Sequence, residues 1–164
     1  MDHVETSSNL PLRRHRDNLK LHRMREGATL RLRRKGSSMK VLLSIDDSSM
    51  VHKVIRQALR DYEIEIIDAL NGQEGVKMAR SESPDLILLD ICMPVMDGLA
   101  ALREIRQIPE HARTPVVLFT SDGSMATLDV AFEEGVTMNL IKPFSAEMLT
   151  SMISALIPLE RRAL

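Results

Sequence analysis

Between residues 40 and 157, five short and almost wholly apolar runs alternate strictly with five amphipathic segments. That alternation leaves few folds open. The runs are KVLLSI (40–45), EIEIIDA (63–69), DLILLDI (85–91), PVVLFTS (115–121) and VTMNLIK (136–142). Each is bounded by turn or breaker residues and is of strand length. The intervening segments read as helices. SSMVHKVIRQALRDY (48–62) sets Val51, Val54, Ile55, Ala58 and Leu59 on one face behind a Ser cap. GQEGVKMARSE (72–82) follows Asn71 and stops before Pro84, GLAALREIRQI (98–108) closes at Pro109, and SMATLDVAFEEG (124–135) ends at Gly135. SAEMLTSMISALI (145–157) carries an apolar stripe of Met148, Leu149, Met152, Ile153, Leu156 and Ile157. Strands joined by crossover helices pair in parallel, and runs such as LILL and VVLF suit a strand covered on both faces. The pattern predicts a doubly wound α/β domain over residues 39–158, followed by a short tail, 159–164.

Charge divides the chain differently. Of 22 Lys and Arg and 23 Asp and Glu, residues 1–38 hold ten basic and four acidic groups, a net +6, and the remainder is −7. The basic extension ends near Gly36-Ser37-Ser38 and lacks a sustained period, so residues 1–38 are expected to be a disordered extension. Two other readings stay open: an upstream mis-start before Met39, or a basic arm at 13–35 for nucleic acid or an acidic partner. Four aromatic residues are too few for a base-stacking surface in the folded part. One cysteine, Cys92, excludes an intramolecular disulfide and a multi-cysteine zinc site, and fits a reducing compartment. The first twelve residues carry charge and no apolar core of a secretory signal, and no apolar run reaches membrane-spanning length. A soluble, cytoplasmic protein with no membrane contact is expected.

Doubly wound sheets place their sites at the carboxyl ends of the strands. Here those ends carry Asp46-Asp47, Asp68, Asp90, Thr120-Ser121 and Lys142-Pro143. Taken singly, each has an ordinary reading: an Asp pair caps a helix, a Thr ends a strand, and Lys-Pro makes a turn. Their joint occurrence at one end of four strands brings three carboxylates, a hydroxyl and an ammonium into one crevice. Carboxylates so close repel unless a cation is present, and Mg2+ suits a site of hard oxygens that keeps waters and meets phosphate. Lys142 adds a point charge for an anion, and Thr120 offers it a hydrogen bond. One carboxylate left free to attack phosphorus would form an aspartyl phosphate.

The segments KVLLSIDDS, LILLDICMPVMDGL, VVLFTSD and NLIKPF together resemble the receiver domain of two-component response regulators, over about residues 39–158. The most specific parts are D-x-x-M-P-x-M-D-G from Asp90 and K-P-F from Lys142. The resemblance implies a flavodoxin-like, three-layer αβα fold with strand order 2-1-3-4-5. It implies that Asp90 is the phospho-acceptor and that Asp46 and Asp47 hold Mg2+ with the main-chain carbonyl of Cys92, Asp47 being the more direct ligand. Thr120 and Lys142 would contact the phosphoryl oxygens, Ser121 would leave room for them, and a cis bond would precede Pro143. Met93-Pro94 and Asp97-Gly98 would shape the following loop, with Gly98 as a permissive turn residue. The partners implied are a sensor histidine kinase or histidine phosphotransfer protein, and a downstream protein that reads the changed surface. A monomer or weak homodimer is expected. Such a domain is a signalling phospho-acceptor, not an enzyme acting on other molecules. With only PLERRAL after Ile157, output would pass through another protein or the basic arm.

Two residues depart from the family pattern. Asn139 stands three before Lys142, where receivers commonly carry a switching Tyr or Phe, and Ser44 occupies a strand position that is usually apolar. The first leaves room for a docking module that does not depend on phosphate. A haloacid-dehalogenase-type phosphatase or a flavodoxin fits poorly. The first needs Asp-x-Asp-x-Thr after the leading strand, and the second needs an uncharged, hydroxyl-rich loop, whereas the string here is Asp46-Asp47-Ser48-Ser49.

Overall fold

The computed structural model describes residues 39–121 and 124–163, and the basic run 13–35, with its nucleic-acid reading, lies outside them. Five strands, β1 Lys40–Ile45, β2 Ile64–Ala69, β3 Leu86–Asp90, β4 Val116–Thr120 and β5 Met138–Ile141, form one sheet. All neighbours are parallel, in the order β2-β1-β3-β4-β5. The helices are α1 Ser49–Ala58, α2 Gly72–Glu82, α3 Gly98–Arg106, α4 Met125–Glu133 and α5 Ala146–Leu156, with a short 3-10 turn at Pro109–His111. The flavodoxin-like order expected from the resemblance is the one found.

Side-chain parity along the strands builds two cores. Leu43 and Ile45 of β1, Ile87 and Leu89 of β3, and Val116 and Leu118 of β4 pack with Val76, Ala79, Ala101, Leu102, Ile105 and Ala131 of α2, α3 and α4. The alternate residues Leu42, Leu86, Leu88, Val117 and Phe119 pack with Ile55, Leu149 and Ile153 of α1 and α5. The central strands are thus buried on both faces, which is why their sequences run apolar rather than alternating. Phe119 and Phe144 meet with ring centroids 4.7 Å apart beneath the site end of the sheet.

Several local expectations change. α1 is shorter than 48–62, because Leu59 closes it and the chain turns back at Tyr62. Ser48 makes no side-chain cap, and the Asp46 carboxylate accepts its N–H instead. Val54 and Met148 face outward, Met148 at 52% exposure, so the stripes on α1 and α5 are narrower than the sequence suggests. α3 ends at Arg106, and Pro109 opens the 3-10 turn rather than closing the helix. Asp85 lies outside β3, and its carboxylate accepts from the Val41 N–H and from Lys40. The residues after Ile157 return to the α1–β2 loop: Glu63 N–H donates to Glu160 O, Arg162 N–H to Asp61 O, and Arg161 lies over the Tyr62 ring.

Gly98 does not supply a left-handed backbone, which here belongs to Gly135, Val95 and Ser83. It supplies space. A Cβ on Gly98 would collide with the Asp90 carbonyl oxygen and stand 2.9 Å from the Ile91 Cα. Both are main-chain atoms, so neither can turn aside. Replacing Gly98 with Ala is expected to cost roughly 1–3 kcal/mol of stability, as overpacking does, and to displace the Asp90 backbone. A denaturant midpoint equal to that of the unaltered protein would contradict this.

Candidate functional site

The site lies where β1, β3, β4 and β5 end. Asp46 and Asp90 sit at or just past the ends of central strands, so they are nearly sealed, at 1% and 6% exposure. Asp47, one residue further, is exposed. Oxygen atoms of Asp46, Asp47 and Asp90, one from each carboxylate, lie within 4.8 Å of one another. Lys142 reaches across from the end of β5: its Nζ donates to Asp46 Oδ2 at 2.7 Å and to Asp90 Oδ1 at 2.8 Å. The Lys142 N–H donates to Thr120 O at 2.8 Å, which ties β5 to β4 at this edge. The Lys142-Pro143 bond is cis. Thr120 is buried and Ser121 exposed on the neighbouring strand end.

The loop after β3 is held mainly by its own backbone. Gly98 N–H donates to Ile91 O, Met96 N–H to Pro94 O, and Gly72 N–H to Met96 O. The Asp97 carboxylate caps α3 by accepting the Ala100 N–H at 2.8 Å. Val95 takes a left-handed backbone (φ 70°) in this loop and projects into solvent. Cys92 is exposed two residues past Asp90.

The charges are unbalanced. Burial pushes the Asp90 carboxyl above its ordinary value; Lys142 opposes that, and the charges of Asp46 and Asp47 add to it. One ammonium shared with Asp46 does not offset burial next to two other anions. For Lys142, burial acts downward, but its hydrogen bonds to Asp46 and Asp90, with their charges, prevail and hold it above the ordinary lysine value. The lysine is therefore charged at neutral pH, against three acidic groups. An additional cation with hard-oxygen preference fits this donor set.

The structure brings together Asp46, Asp47, Asp90 and Lys142, as expected from their strand-end positions. Asp68, at the end of edge strand β2, is drawn elsewhere: its Oδ2 accepts from Arg56 Nη2 at 2.8 Å. Sequence reasoning misses two buried histidines, His52 and His111, of which His52 adjoins the site. His52 of α1, 5% exposed, contacts Ser44 and the Asp46 carbonyl. The sequence signal is position alone, since His52 lies three residues before Ile55 and seven before Leu59, on the inward face of the helix.

A five-stranded doubly wound domain with a lysine-bridged acidic crevice at its strand ends is a receiver-type α/β domain. Residues 42–154 match the family described as response regulator receiver domain, and the chain belongs to that family, the receivers of two-component response regulators. It is 36% identical over 122 residues to the sensor histidine kinase CheAY of Helicobacter pylori, covering 73% of this chain and 15% of that protein. It is 31% identical over 116 residues to the transcriptional regulatory protein SrrA of Staphylococcus aureus, covering 71% and 47%. The chain thus spans less than half the length of either relative. Among solved structures, the chemotaxis protein CheY4 of Vibrio cholerae superposes with a TM-score of 0.70 at 28% identity, over 73% of this chain and all of that one. The receiver domain of a Pseudomonas aeruginosa sensor histidine kinase, solved with magnesium in its active site cleft, gives 0.67 at 26% identity, over 73% and 98%. Among the described residues, no helix is long and apolar enough to cross a membrane.

The raised Asp90 pKa has a consequence for stability. Between its ordinary value of 3.8 and the raised folded value, the native state binds more protons than the unfolded chain, so this group's contribution falls as pH rises through that window. Without divalent cation, Asp90→Asn is expected to raise the neutral-pH melting temperature by about 3 °C, the shift that ~1 kcal/mol makes in a domain of this size. The gain should vanish on acidification below the window. A melting temperature at neutral pH that is unchanged or lowered would refute the reading that burial beside two other acidic groups burdens Asp90.

Proposed function

We propose that the chain is a phosphoryl-accepting signalling module in which Asp90 takes a phosphoryl group from the phosphohistidine of a sensor histidine kinase or histidine phosphotransfer protein. The observation that carries this reading is the Lys142 ammonium shared between Asp46 and Asp90. A carboxylate oxygen of Asp90 attacks phosphorus, the N–P bond of the donor breaks, and the donor imidazole keeps the electron pair and regains a proton. The aspartyl phosphate is later lost to water. Lys142 is the cation at hand for the phosphoryl oxygens, and Thr120 offers a hydroxyl one strand away.

Asp46, Asp47 and the main-chain carbonyl of Cys92 are the proposed holders of Mg2+, with Asp90. Bound there, the ion would neutralise charge on the carboxylates and the incoming phosphoryl group. The donor set supports it: three carboxylate oxygens within 4.8 Å, all hard, facing one ammonium. The magnesium site of the Pseudomonas receiver supports it by likeness. A main-chain contact at Cys92 would leave its thiol free of the metal. Such chemistry acts on the module's own side chain, which makes it a switch rather than an enzyme with an external substrate. The reading also implies a cytoplasmic location, where such donors work.

A new aspartyl phosphate changes charge and hydrogen bonding beside β4 and β5, enough to bias a two-state surface read by a downstream protein. Asn139, half-buried on β5 in register with Leu118, favours a second reading for that output step alone. It carries no ring to move inward, so docking to the partner could proceed without phosphate. Monomer or weak homodimer is the proposed solution state.

Incubation with acetyl phosphate and Mg2+, followed by mass measurement, tests the chemistry. The unaltered chain should gain one phosphoryl group and Asp90→Asn should gain none. An unaltered chain that stays unmodified in the presence of Mg2+ would overturn the proposal. Partner capture with and without a phosphate mimic separates the two output readings, and equal capture would favour phosphate-independent docking.

A further inference from the structure

Asp46 is nearly sealed from solvent, so each of its polar atoms needs a partner within the protein. Its N–H donates to Ala69 O at 3.0 Å. Its Oδ1 accepts the Ser48 N–H at 2.8 Å, and its Oδ2 accepts from Lys142. That leaves the carbonyl. It precedes α1 and receives no helical N–H, because the first-turn amides of Val51 and His52 go to Ser48 O. The donor it finds is a side chain: His52 Nε2, at 2.8 Å. A carbonyl only accepts, so Nε2 carries the proton whatever the state of the other ring nitrogen. On the far side of the ring, Ser44 Oγ lies 3.0 Å from Nδ1 and Asp68 Oδ1 lies 3.4 Å from it.

The residue types invite comparison with a Ser-His-Asp triad, but the geometry excludes one. Serine and aspartate share the same nitrogen, and Ser44 is 1% exposed, beyond the reach of a substrate. The arrangement is instead a strut. It runs from Ser44 near the end of β1, through His52 of α1, to the turn that carries the acidic pair.

We propose that His52 is a positioning residue for the acidic pair: clamped by Ser44, its Nε2–H holds the Asp46 carbonyl and thereby sets the direction in which Asp46 and Asp47 present their carboxylates. This deepens the proposed function and rests on it for the identity of the ion. It explains why β1 tolerates a hydroxyl at Ser44 among buried apolar neighbours, and why α1 carries an imidazole on its inward face. Partners that orient metal ligands at one remove typically change affinity by about ten- to a hundredfold when removed.

The test uses the full chain and two substitutions of differing geometry. Gln at position 52 places an amide N–H near the Nε2 position, whereas Leu fills the volume without a donor. Magnesium titration by calorimetry should show binding weakened about tenfold in His52→Leu and within about threefold of the unaltered protein in His52→Gln. Acetyl phosphate labelling of His52→Leu should recover at saturating Mg2+. A folded His52→Leu with unchanged magnesium affinity, or a Gln variant as impaired as the Leu variant, overturns the proposal. Should His52→Leu fail to fold, Ser44→Ala takes its place: it frees the ring while keeping the donor, and is expected to weaken binding measurably, with no change refuting the strut. Hydrogen exchange at the Ser48 amide, which the Asp46 carboxylate holds, decides the matter without any metal. It should be faster in His52→Leu and normal in His52→Gln, and unchanged exchange in the Leu variant would sink the idea. An unaltered chain that binds no magnesium but shows this exchange pattern would defeat the proposed function while leaving the positioning role intact.

Discussion

The ammonium of Lys142, placed between two buried carboxylates, is the contact on which the crevice depends. Without it, the ends of β1 and β3 would present like charges to each other in a setting with little water to screen them. With it, three elements distant in sequence are tied at one edge of the sheet. The tie does not neutralise the site. It leaves Asp90 less acidic than an ordinary aspartate and Lys142 firmly charged, an unbalanced arrangement suited to a further cation and an anionic ligand.

The sheet supplies the rigidity that makes such placement possible. β1, β3 and β4 are apolar on both faces and packed between two helix layers, so their ends are fixed by cores that have little freedom to shift. The site is then assembled from short extensions of those strands, with Gly98 allowing the loop to pass against the Asp90 carbonyl. Polar groups within the cores occur where they answer a backbone need. His111 bonds Ala79 O and Thr114, Arg106 gathers the carbonyls of His111, Thr114 and Gly135, and His52 and Ser44 serve the Asp46 turn. The first two staples lie at the opposite end of the sheet from the acidic crevice, among the loops that enter β4 and β5.

Much of this was legible in the linear chain. The five strands emerged because each is an uninterrupted apolar run between breakers, and the acidic trio because parallel strands must end together. Side-chain burial was less legible. Met148 and Val54 fit the helical stripe by spacing but lie at its margins, where a small change in helix rotation exposes them. The Ser48 cap was expected from residue type, yet the Asp46 carboxylate reached the same amide first. Gly98 read as a turn glycine because composition cannot distinguish a need for unusual dihedrals from a need for space. His52 is legible only as a polar residue on the inward face of α1, a placement that does not say what its ring contacts.

By itself the sequence determined the layers, the strand assignments and which end of the sheet would carry charge, since these follow from hydrophobic period and the parallel connection rule. Tertiary structure decided which of the strand-end charges is left out of the crevice. Asp68 and Asp90 both close strands, but only Asp90 lies on a central one, facing Lys142 across β4. Asp68, on the edge, is claimed by Arg56 of the adjoining helix. The distance between side chains from remote segments depends on strand order and register, and neither is written in any local pattern of residues.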